Sequence, residues 1–275
     1  MFMESVLVQI YEVQVPSEAE TLVELGVDHI GSVILSEETW KIPVIKETLH
    51  ITDQTVSRSS LIPLFSRQDS IFRALDYYQP DIVHFCETLN LDHLNGHEPF
   101  EHLIGLQKSV KEKFPEIKII RSIPIPPCNS ADQGSVIETV RAFEPVSDYF
   151  LTDTILMEAA GSYPDQQPVQ GFIGITGQTC NWDMAAKLVE STPVPVILAG
   201  GISHANVFDG IMHVRPAGVD SCTKTNAVDR NGRVIRFKKD LGKVKRLVKA
   251  VRRAENELVR FHKVKNERSI INHMK

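Results

Sequence analysis

The sequence predicts one closed (β/α)8 barrel, in which eight parallel strands alternate with eight helices. Short apolar runs rich in β-branched residues alternate with amphipathic segments along the whole chain, a pattern typical of parallel strands joined by crossover helices. The 275 residues divide into eight units of about 34 residues, a usual length for one strand and its helix. Small-residue turns near the end of the chain favour a barrel over an open doubly wound sheet, because the last two loops of barrels commonly bind phosphate.

Each element is predicted from apolar runs, caps and turn residues. The predicted strands are 6–11, 29–35, 61–65, 81–86, 118–125 and 149–151, then a run that ends at Gly200-Gly201 and a run within 215–224. The predicted helices are 17–25, 44–52, 69–78, 98–113, 135–143, 183–189, a short helix after Ser203, and 241–261. We interpret Ser17 and Ser203 as helix-start residues and Asn181 as an N-cap. Asp229-Arg-Asn-Gly predicts the turn of a small hairpin.

Composition indicates a soluble globular protein whose charge is unevenly distributed. Hydrophobic residues make up 42% of the chain, and the net charge of −5 argues against nucleic-acid binding by the chain as a whole. From Arg236 to Lys275, however, fourteen lysines and arginines accompany only four acidic residues. We therefore place the barrel at 1–262 and a basic tail at 263–275. The final helix presents either a solvated outer barrel face or a surface for nucleic acid or a partner.

No sequence pattern indicates disulfides, a zinc ribbon or a membrane span. The four cysteines are far apart and form no C-x-x-C pair: Cys86, Cys128, Cys180 and Cys222. The chain starts without a sustained apolar run, and no stretch approaches the ~18 apolar residues that cross a bilayer. We expect a cytoplasmic protein.

Polar side chains at the predicted strand ends are the candidate functional residues, because barrel active sites lie at the C-terminal ends of the strands. These candidates are Tyr11, Glu12, His84, Cys86, Glu87, Arg121, Asp153, Asp220 and Lys224. Two turns are predicted to bind phosphate through backbone amides and a lysine. They contain Gly200 and Gly201 after the seventh strand, and Ser221, Cys222, Thr223 and Lys224 after the eighth.

His84 and Cys86 lie two residues apart on one predicted strand, so both side chains point to the same face of the sheet, which is the barrel interior. Three interpretations remain open. The two side chains pack in the core, bind zinc together with Asp153 or Cys222, or supply a base through Cys86. We assign no metal site, because no ligand spacing requires one.

Several motifs are distributed over most of the chain. They are Ile10-Tyr-Glu-Val-Gln-Val-Pro-Ser-Glu-Ala, Gly26-Val-Asp-His-Ile-Gly-Ser-Val, Pro80-Asp-Ile-Val-His-Phe-Cys-Glu, Leu151-Thr-Asp-Thr, Gly174-Ile-Thr-Gly-Gln-Thr-Cys-Asn-Trp, Ala199-Gly-Gly-Ile and Gly218-Val-Asp-Ser. Together these motifs resemble the phosphoribosylanthranilate isomerase family. The resemblance implies a (β/α)8 barrel that rearranges a phosphoribosyl aminoaldose to an aminoketose in tryptophan biosynthesis, without a cofactor.

The resemblance also implies roles for individual residues. Asp153 stands at the position of the family's general acid, which protonates the furanose ring oxygen. Tyr11 replaces the cysteine that removes the C2 proton, and a phenol with a pKa near 10 is a poorer base than a thiol near 8.5. Cys86, which replaces a family histidine, is the other candidate for the second proton-transfer group. Arg121 keeps a basic residue of the fifth strand, either as a salt-bridge partner of Asp153 or as a substrate ligand.

Two further family positions have changed. Trp40 replaces the arginine that holds the anthranilate carboxylate, with Lys41 beside it. The glycine-rich loop carries Gln178 where the family has a lysine, and we expect Gly177, Gln178 and Thr179 to cover the substrate.

The sequence therefore predicts an acid–base isomerase that acts on a phosphorylated sugar derivative whose non-phosphate half has diverged. The alternative is a non-catalytic barrel that binds a phosphorylated metabolite as a sensor or scaffold. Neither a metal, a cofactor nor a membrane partner is expected, and a homodimer is left open.

Overall fold

Eight parallel strands close into a barrel in chain order. The computed structural model describes residues 5–89, 100–125, 133–154, 171–174 and 177–273. The barrel strands are β1 (Leu7–Ile10), β2 (His29–Ile34), β3 (Arg58–Pro63), β4 (Ile82–Phe85), β5 (Lys118–Ile125), β6 (Tyr149–Thr154), β7 (Val196–Leu198) and β8 (Gly218–Ser221). The barrel closes where β1 pairs with β8, with Leu7 opposite Gly218 and Ile10 opposite Ser221. The predicted barrel is confirmed.

Helices follow the strands and pack on the outside of the barrel. They are α1 (Pro16–Glu24), α2 (Pro43–His50), α3 (Gln68–Tyr78), α4 (Glu101–Lys113), α5 (Gln133–Phe143), α6 (Trp182–Ser191), α7 (Val207–Val214) and α8 (Leu241–His273). In α3 the buried residues Ile71, Ala74, Leu75 and Tyr78 recur at three- and four-residue spacing, which places one apolar face against the strands. Cys128 and the predicted helical residues 98–99 lie outside the described residues.

Two predicted helix starts are wrong, and one predicted cap is confirmed. Helix α1 begins at Pro16 rather than at Ser17. Proline is favoured at the first helical position because the backbone N–H that it lacks would have no hydrogen-bond partner within the helix there. Ser203 lies in the turn before α7, where its amide donates to Asn206 Oδ1 at 2.7 Å. Asn181 caps α6 by accepting a hydrogen bond from the Met184 amide at 3.2 Å.

The last helix, α8, packs one face on the barrel and continues beyond the predicted barrel boundary. Its residues Val244, Val251 and Leu258 are buried, as expected for the final helix of a barrel. The helical backbone extends through residues 263–273, which the sequence analysis assigns to a tail. No helix among the described residues is long and apolar enough to cross a bilayer.

A hairpin follows β8 at the C-terminal end of the barrel, as the Asp229 turn predicts. It consists of β9 (Asn226–Val228) and β10 (Val234–Lys239), which pair antiparallel. In its turn, Asp229 Oδ1 accepts hydrogen bonds from the amides of Asn231 and Arg233 at 2.8 and 2.9 Å.

The hairpin is bound to the end of β1 through buried Glu12. The Asn226 amide group donates to Glu12 Oε2 at 2.7 Å, and Arg236 Nε donates to Glu12 Oε1 at 2.7 Å. Burial acts to raise the pKa of Glu12, but the Asn226 hydrogen bond and the Arg236 charge together hold it below its usual value. The hairpin is therefore part of the rim of the barrel mouth.

Candidate active site

A pocket of about 780 Å³, including its open mouth, lies at the C-terminal ends of the strands. The residues that line it are Tyr11, Glu12, Val33, Ile62, Leu64, His84, Cys86, Leu151, Asp153, Phe172, Ile173, Gly174, Gly177, Ala199, Gly200, Gly201, Ile202, Asp220, Cys222, Thr223 and Lys224. Most of the predicted site residues therefore line one cavity; Gln178, Thr179, Ser221, Glu87 and Arg121 are outside its lining.

Two carboxyl groups share this pocket, half-buried Asp153 on β6 and buried Asp220 on β8. Asp153 Oδ1 accepts a hydrogen bond from the Thr154 amide at 2.8 Å, and Asp220 Oδ1 accepts one from Gln9 Nε2 at 3.2 Å. The pKa of each carboxyl is raised to about 7, in both cases mainly by burial, and the nearby Asp153 charge contributes to the increase at Asp220. Two interacting groups with pKa values near 7 divide their protons between them at neutral pH.

The phenol of Tyr11 lies across the barrel mouth from β1 to β3. A Cβ atom on Gly31 would overlap its ring at 2.0 Å, so glycine is required on β2 for the ring to lie there. The hydroxyl is 2.6 Å from Ser60 Oγ. Burial raises the pKa of Tyr11 well above 10, and the Ser60 hydrogen bond offsets this only in part. The phenol is therefore protonated at neutral pH.

His84 and Cys86 both line the pocket, which confirms that they share the interior face. His84 Nε2 is 2.8 Å from Ser122 Oγ, and burial together with the Arg121 charge lowers the histidine pKa to about 3. Its Nδ1 is buried without a hydrogen-bond partner among the described residues. Burial, aided by the Glu87 charge, raises the pKa of the Cys86 thiol well above its usual value. Both side chains are uncharged at neutral pH.

The predicted ion pair between Arg121 and Asp153 is wrong. Arg121 Nη1 instead donates to Glu87 Oε2 at 2.5 Å, and its guanidinium lies 5.0 Å from the Phe143 ring centre on α5. The neighbouring Ser122 bonds to His84 inside the barrel, and successive strand residues point to opposite faces. Arg121 therefore faces the helices and not the pocket.

The two predicted phosphate turns come together at one end of the pocket, and the glycine-rich loop rests on them. Gly201 has φ 60°, and a Cβ atom there would lie 2.7 Å from the carbonyl carbon of Gln178. Thr154 Oγ1 donates to the Gln178 carbonyl at 3.0 Å. Ser221 Oγ donates to the Ile202 carbonyl at 2.6 Å and joins the turn after β7 to the turn after β8. The loop packs on the turns through backbone contacts that only glycine permits.

Several polar groups at this end of the pocket have no hydrogen-bond partner in the part of the chain that the structure describes. The amides of Gly200 and Gly201 make no hydrogen bond to another described residue. Thr223 Oγ1 is buried and also has no hydrogen-bond partner among the residues described. The side chain of Lys224 lies nearby, with its Cε 3.8 Å from a Cβ atom placed on Gly177. Free amides, a hydroxyl and an ammonium group are the donors that a phosphate group requires. We call Gly200–Gly201 and Cys222–Lys224 the phosphate turns.

A second part of the pocket lining is an apolar wall that was not predicted from the sequence, and Cys222 of the phosphate turns packs against its cluster. The wall consists of Val33, Ile62, Leu64, Phe172 and Ile173, which pack together in one cluster. The Ile173 amide donates to the Cys86 carbonyl at 2.8 Å, which anchors part of the wall at the end of β4. The sequence signal that could have indicated this wall is the pair of apolar runs at the ends of β2 and β3, which contain Val33, Ile62 and Leu64.

The two residues at the changed family positions after β2 lie away from the pocket. Trp40 packs edge-on against Tyr77 of α3, with ring centres 5.7 Å apart, and the Lys41 ammonium lies 4.8 Å from the same tyrosine ring centre. Neither residue lines the pocket. Among the described residues, no group of three histidine, cysteine or acidic side chains is arranged to hold a metal ion.

Comparison with known proteins identifies the family of this barrel. A family model described as N-(5'-phosphoribosyl)anthranilate (PRA) isomerase matches residues 108–250, which is just over half of the chain. The chain belongs to the PRA isomerase family. A PRA isomerase of Methanocella arvoryzae is 31% identical over 159 residues, which span 58% of this chain and 60% of that relative. One of Methanosarcina acetivorans is 25% identical over 252 residues, or 89% and 92% of the two chains.

Solved PRA isomerase structures have the same fold. The enzyme of Pyrococcus furiosus superposes with a TM-score of 0.62 at 16% identity, over 90% of this chain and 99% of that chain. A PRA isomerase in complex with reduced 1-(o-carboxyphenylamino)-1-deoxyribulose 5-phosphate superposes with a TM-score of 0.60 at 18% identity, over 90% and 98%. At these identities the structural likeness shows the (β/α)8 fold alone.

Proposed function

We propose that this protein is an isomerase that converts an N-phosphoribosyl amine to the corresponding 1-amino-1-deoxyribulose 5-phosphate. The observation that carries the proposal is the pair of carboxyls, Asp153 and Asp220, each with a pKa raised to about 7, in one pocket with the phosphate turns. An aldose–ketose rearrangement needs one acid and one base at the same pH. Two coupled carboxyls that divide their protons near pH 7 supply both.

In the proposed mechanism, protonated Asp153 donates its proton to the furanose ring oxygen. The C1–O bond breaks, and the amine nitrogen forms a double bond to C1. Ionised Asp220 then removes the proton from C2, so that the C2–H electron pair forms the C1–C2 double bond and the nitrogen regains its lone pair. Transfer of a proton to C1 and loss of the C2 hydroxyl proton give the ketone.

Asp220 is a better candidate for the base than the two residues that the sequence favours. Burial keeps both the Tyr11 phenol and the Cys86 thiol protonated at neutral pH, because it raises both pKa values. A base works best when its pKa lies near the working pH. Of these three groups, only Asp220 has a pKa near 7.

The phosphate turns would hold the 5-phosphate at the β7–β8 end of the pocket. Their free glycine amides, the unpartnered Thr223 hydroxyl and the Lys224 ammonium would bind its oxygens. The relative solved with a reduced carboxyphenylamino-deoxyribulose 5-phosphate supports a ligand of this class. A related Thermotoga maritima enzyme is described as dimeric, and light scattering would test whether this chain also forms a homodimer.

The test is turnover of N-phosphoribosyl amines, formed in situ from ribose 5-phosphate and an aryl amine and followed by NMR. The expected result is a 1-arylamino-1-deoxyribulose 5-phosphate that forms with the wild type and not with Asp153→Asn. Binding of these phosphosugars without any conversion would contradict the isomerase proposal. It would favour the alternative of a non-catalytic barrel that senses a phosphorylated metabolite.

A further inference from the structure

The cationic residues at the mouth of the barrel are distributed unevenly. Each of the strands β1 to β7 is joined to the next helix by a connecting segment. The only lysines and arginines in these seven segments are Lys41 and Arg67. The internal segments outside the described residues, 90–99, 126–132, 155–170 and 175–176, contain none. The other cations at this end follow β8, in the phosphate turn and the hairpin. The lysines and arginines at the barrel mouth therefore lie mainly after β8, and among the described residues that line the pocket the only one is Lys224.

The two exceptions are held elsewhere by other side chains. The Lys41 ammonium lies over the ring of Tyr77, and Arg67 Nη1 lies 3.2 Å from Glu37 Oε1. In the hairpin, Arg236 bonds to Glu12, and Lys239 Nζ donates to the Cys222 carbonyl at 3.1 Å. None of these cations lines the apolar wall. Arg236 lies 4.6 Å from the ring centre of Phe237, which packs on the wall cluster, but its guanidinium is already bonded to Glu12. Among the described residues, a carboxylate against the wall would therefore find no unpaired cation.

We infer that the half of the substrate opposite the phosphate is an apolar, uncharged group without a carboxylate, such as an unsubstituted aryl amine. The inference rests on the proposed function, since it concerns the other half of the same substrate. The wall of Val33, Ile62, Leu64, Phe172 and Ile173 offers dispersion contacts and apolar burial to such a group. An ionised carboxylate would lose its hydration there without a compensating ion pair.

The pocket's own negative groups act in the same direction. Asp153, Asp220 and Glu12 all line the cavity, and the Glu12 carboxyl is ionised because its pKa is held below the usual value. A carboxylate on the ligand would be repelled by these groups when they are ionised. The only lining cation among the described residues, Lys224, lies at the phosphate turns.

The experiment compares two stable ligands that differ by one carboxylate. They are reduced 1-phenylamino-1-deoxyribulose 5-phosphate and its o-carboxyphenyl counterpart, titrated calorimetrically into the full-length protein at pH 7, with ribose 5-phosphate as the third ligand. The expected result is a dissociation constant at least tenfold lower for the phenyl compound. Equal or tighter binding of the carboxyphenyl compound would overturn the inference and leave the proposed function standing.

Two further outcomes are distinguishable. Binding of ribose 5-phosphate but of neither arylamino compound would also overturn the apolar assignment, and the phosphosugar site would remain. Failure of all three ligands to bind would overturn the proposed function itself.

A charge-introducing variant tests the wall directly. Leu64→Arg places a guanidinium in the wall and is expected to shift the preference towards the carboxyphenyl compound by at least tenfold. Val56→Arg introduces the same side chain at a site that is 96% exposed, and it should leave the preference unchanged. If Leu64→Arg does not fold, Ile173→Lys makes the same test from the other side of the wall. An unchanged preference in a folded wall variant would contradict the inference.

Discussion

The phosphate turns and the apolar wall differ in the chemical groups that form them: backbone amides dominate the turns, and side chains form the wall. The phosphate turns offer backbone amides to the proposed ligand, and their positive φ angles and close loop contacts restrict Gly200 and Gly201 to glycine. The apolar wall is made of side chains: Val33 and Ile62 lie on β2 and β3, Leu64 directly follows β3, and Phe172 and Ile173 lie between β6 and α6. We conclude that the phosphate turns are constrained by conformation, whereas the apolar wall depends on the identity of its side chains.

The largest effect is expected from removing either carboxyl group of the pocket. Asp153→Asn and Asp220→Asn should each lower kcat by about 10²–10⁴-fold, the usual contribution of a general acid or base. Steady-state kinetics on the NMR-verified substrate would measure this loss. Asp183→Asn is the matched control, because its carboxyl is on the surface of α6 and is 82% exposed. Wild-type turnover in Asp220→Asn would show that another group removes the C2 proton.

A glycine substitution would test whether backbone geometry holds the phosphate end. A Cβ atom on Gly201 would meet the Gln178 carbonyl carbon at 2.7 Å, so Gly201→Ala must displace the loop from the turn. We expect at least tenfold weaker binding of ribose 5-phosphate by calorimetry. Gly232→Ala is the control, because Gly232 also has a positive φ but nothing lies within 4 Å of its Cβ position. Equal affinities of the two variants would contradict a backbone-built phosphate site.

Lys224 inside the pocket and Lys41 outside it should respond differently to truncation. Lys224→Ala is expected to weaken ribose 5-phosphate binding by about fivefold to tenfold, as for loss of one charge-assisted contact. Lys41→Ala should change affinity by less than about twofold, since its ammonium packs on Tyr77 outside the pocket. The same titrations measure both. A large effect of Lys41→Ala would place a cation near the apolar wall and weaken the contrast between the turns and the wall.

The smallest effect concerns stability. The folded-state pKa of Asp220, about 7, is above the unfolded value of about 3.9, so the protonated carboxyl favours folding below pH 4 and this stabilisation is lost as the pH rises through 7. Asp220→Asn cannot ionise. Its stability relative to the wild type should therefore increase by on the order of 2–3 kcal/mol between pH 5 and pH 8. Urea unfolding at both pH values measures this difference, and a pH-independent difference would contradict the raised pKa.

Sequence patterns predicted the barrel and the positions of the two turns after β7 and β8, because both depend on local features; phosphate binding by these turns stays a prediction. Apolar residues that recur with a fixed period predict strands and helices. Paired glycines predict turns whose backbone conformation residues with a Cβ atom disfavour. The helix starts at Ser17 and Ser203 were mispredicted because neighbouring residues competed for the same role. Pro16 occupies the first helical position of α1, and Asn206 directly precedes α7.

The site chemistry was harder to predict because it depends on which face each strand residue takes. Both faces of a barrel strand are buried, so the apolar pattern of β5 does not distinguish Arg121, which faces the helices, from Ser122, which faces the interior. The sequence placed Asp220 at a strand end but gave it no role. Its raised pKa results from burial and from Asp153, a residue that is distant in sequence and near in space.

The most direct test of the central claim is the pH dependence of kcat/KM for an N-phosphoribosyl aryl amine. If coupled Asp153 and Asp220 act as acid and base, the profile should be bell-shaped with both limbs near pH 7. Cys86→Ala should leave the shape of the profile unchanged. A profile that rises to a plateau above pH 8, and loses that limb in Cys86→Ala, would contradict the account, because it would assign the base to the thiolate.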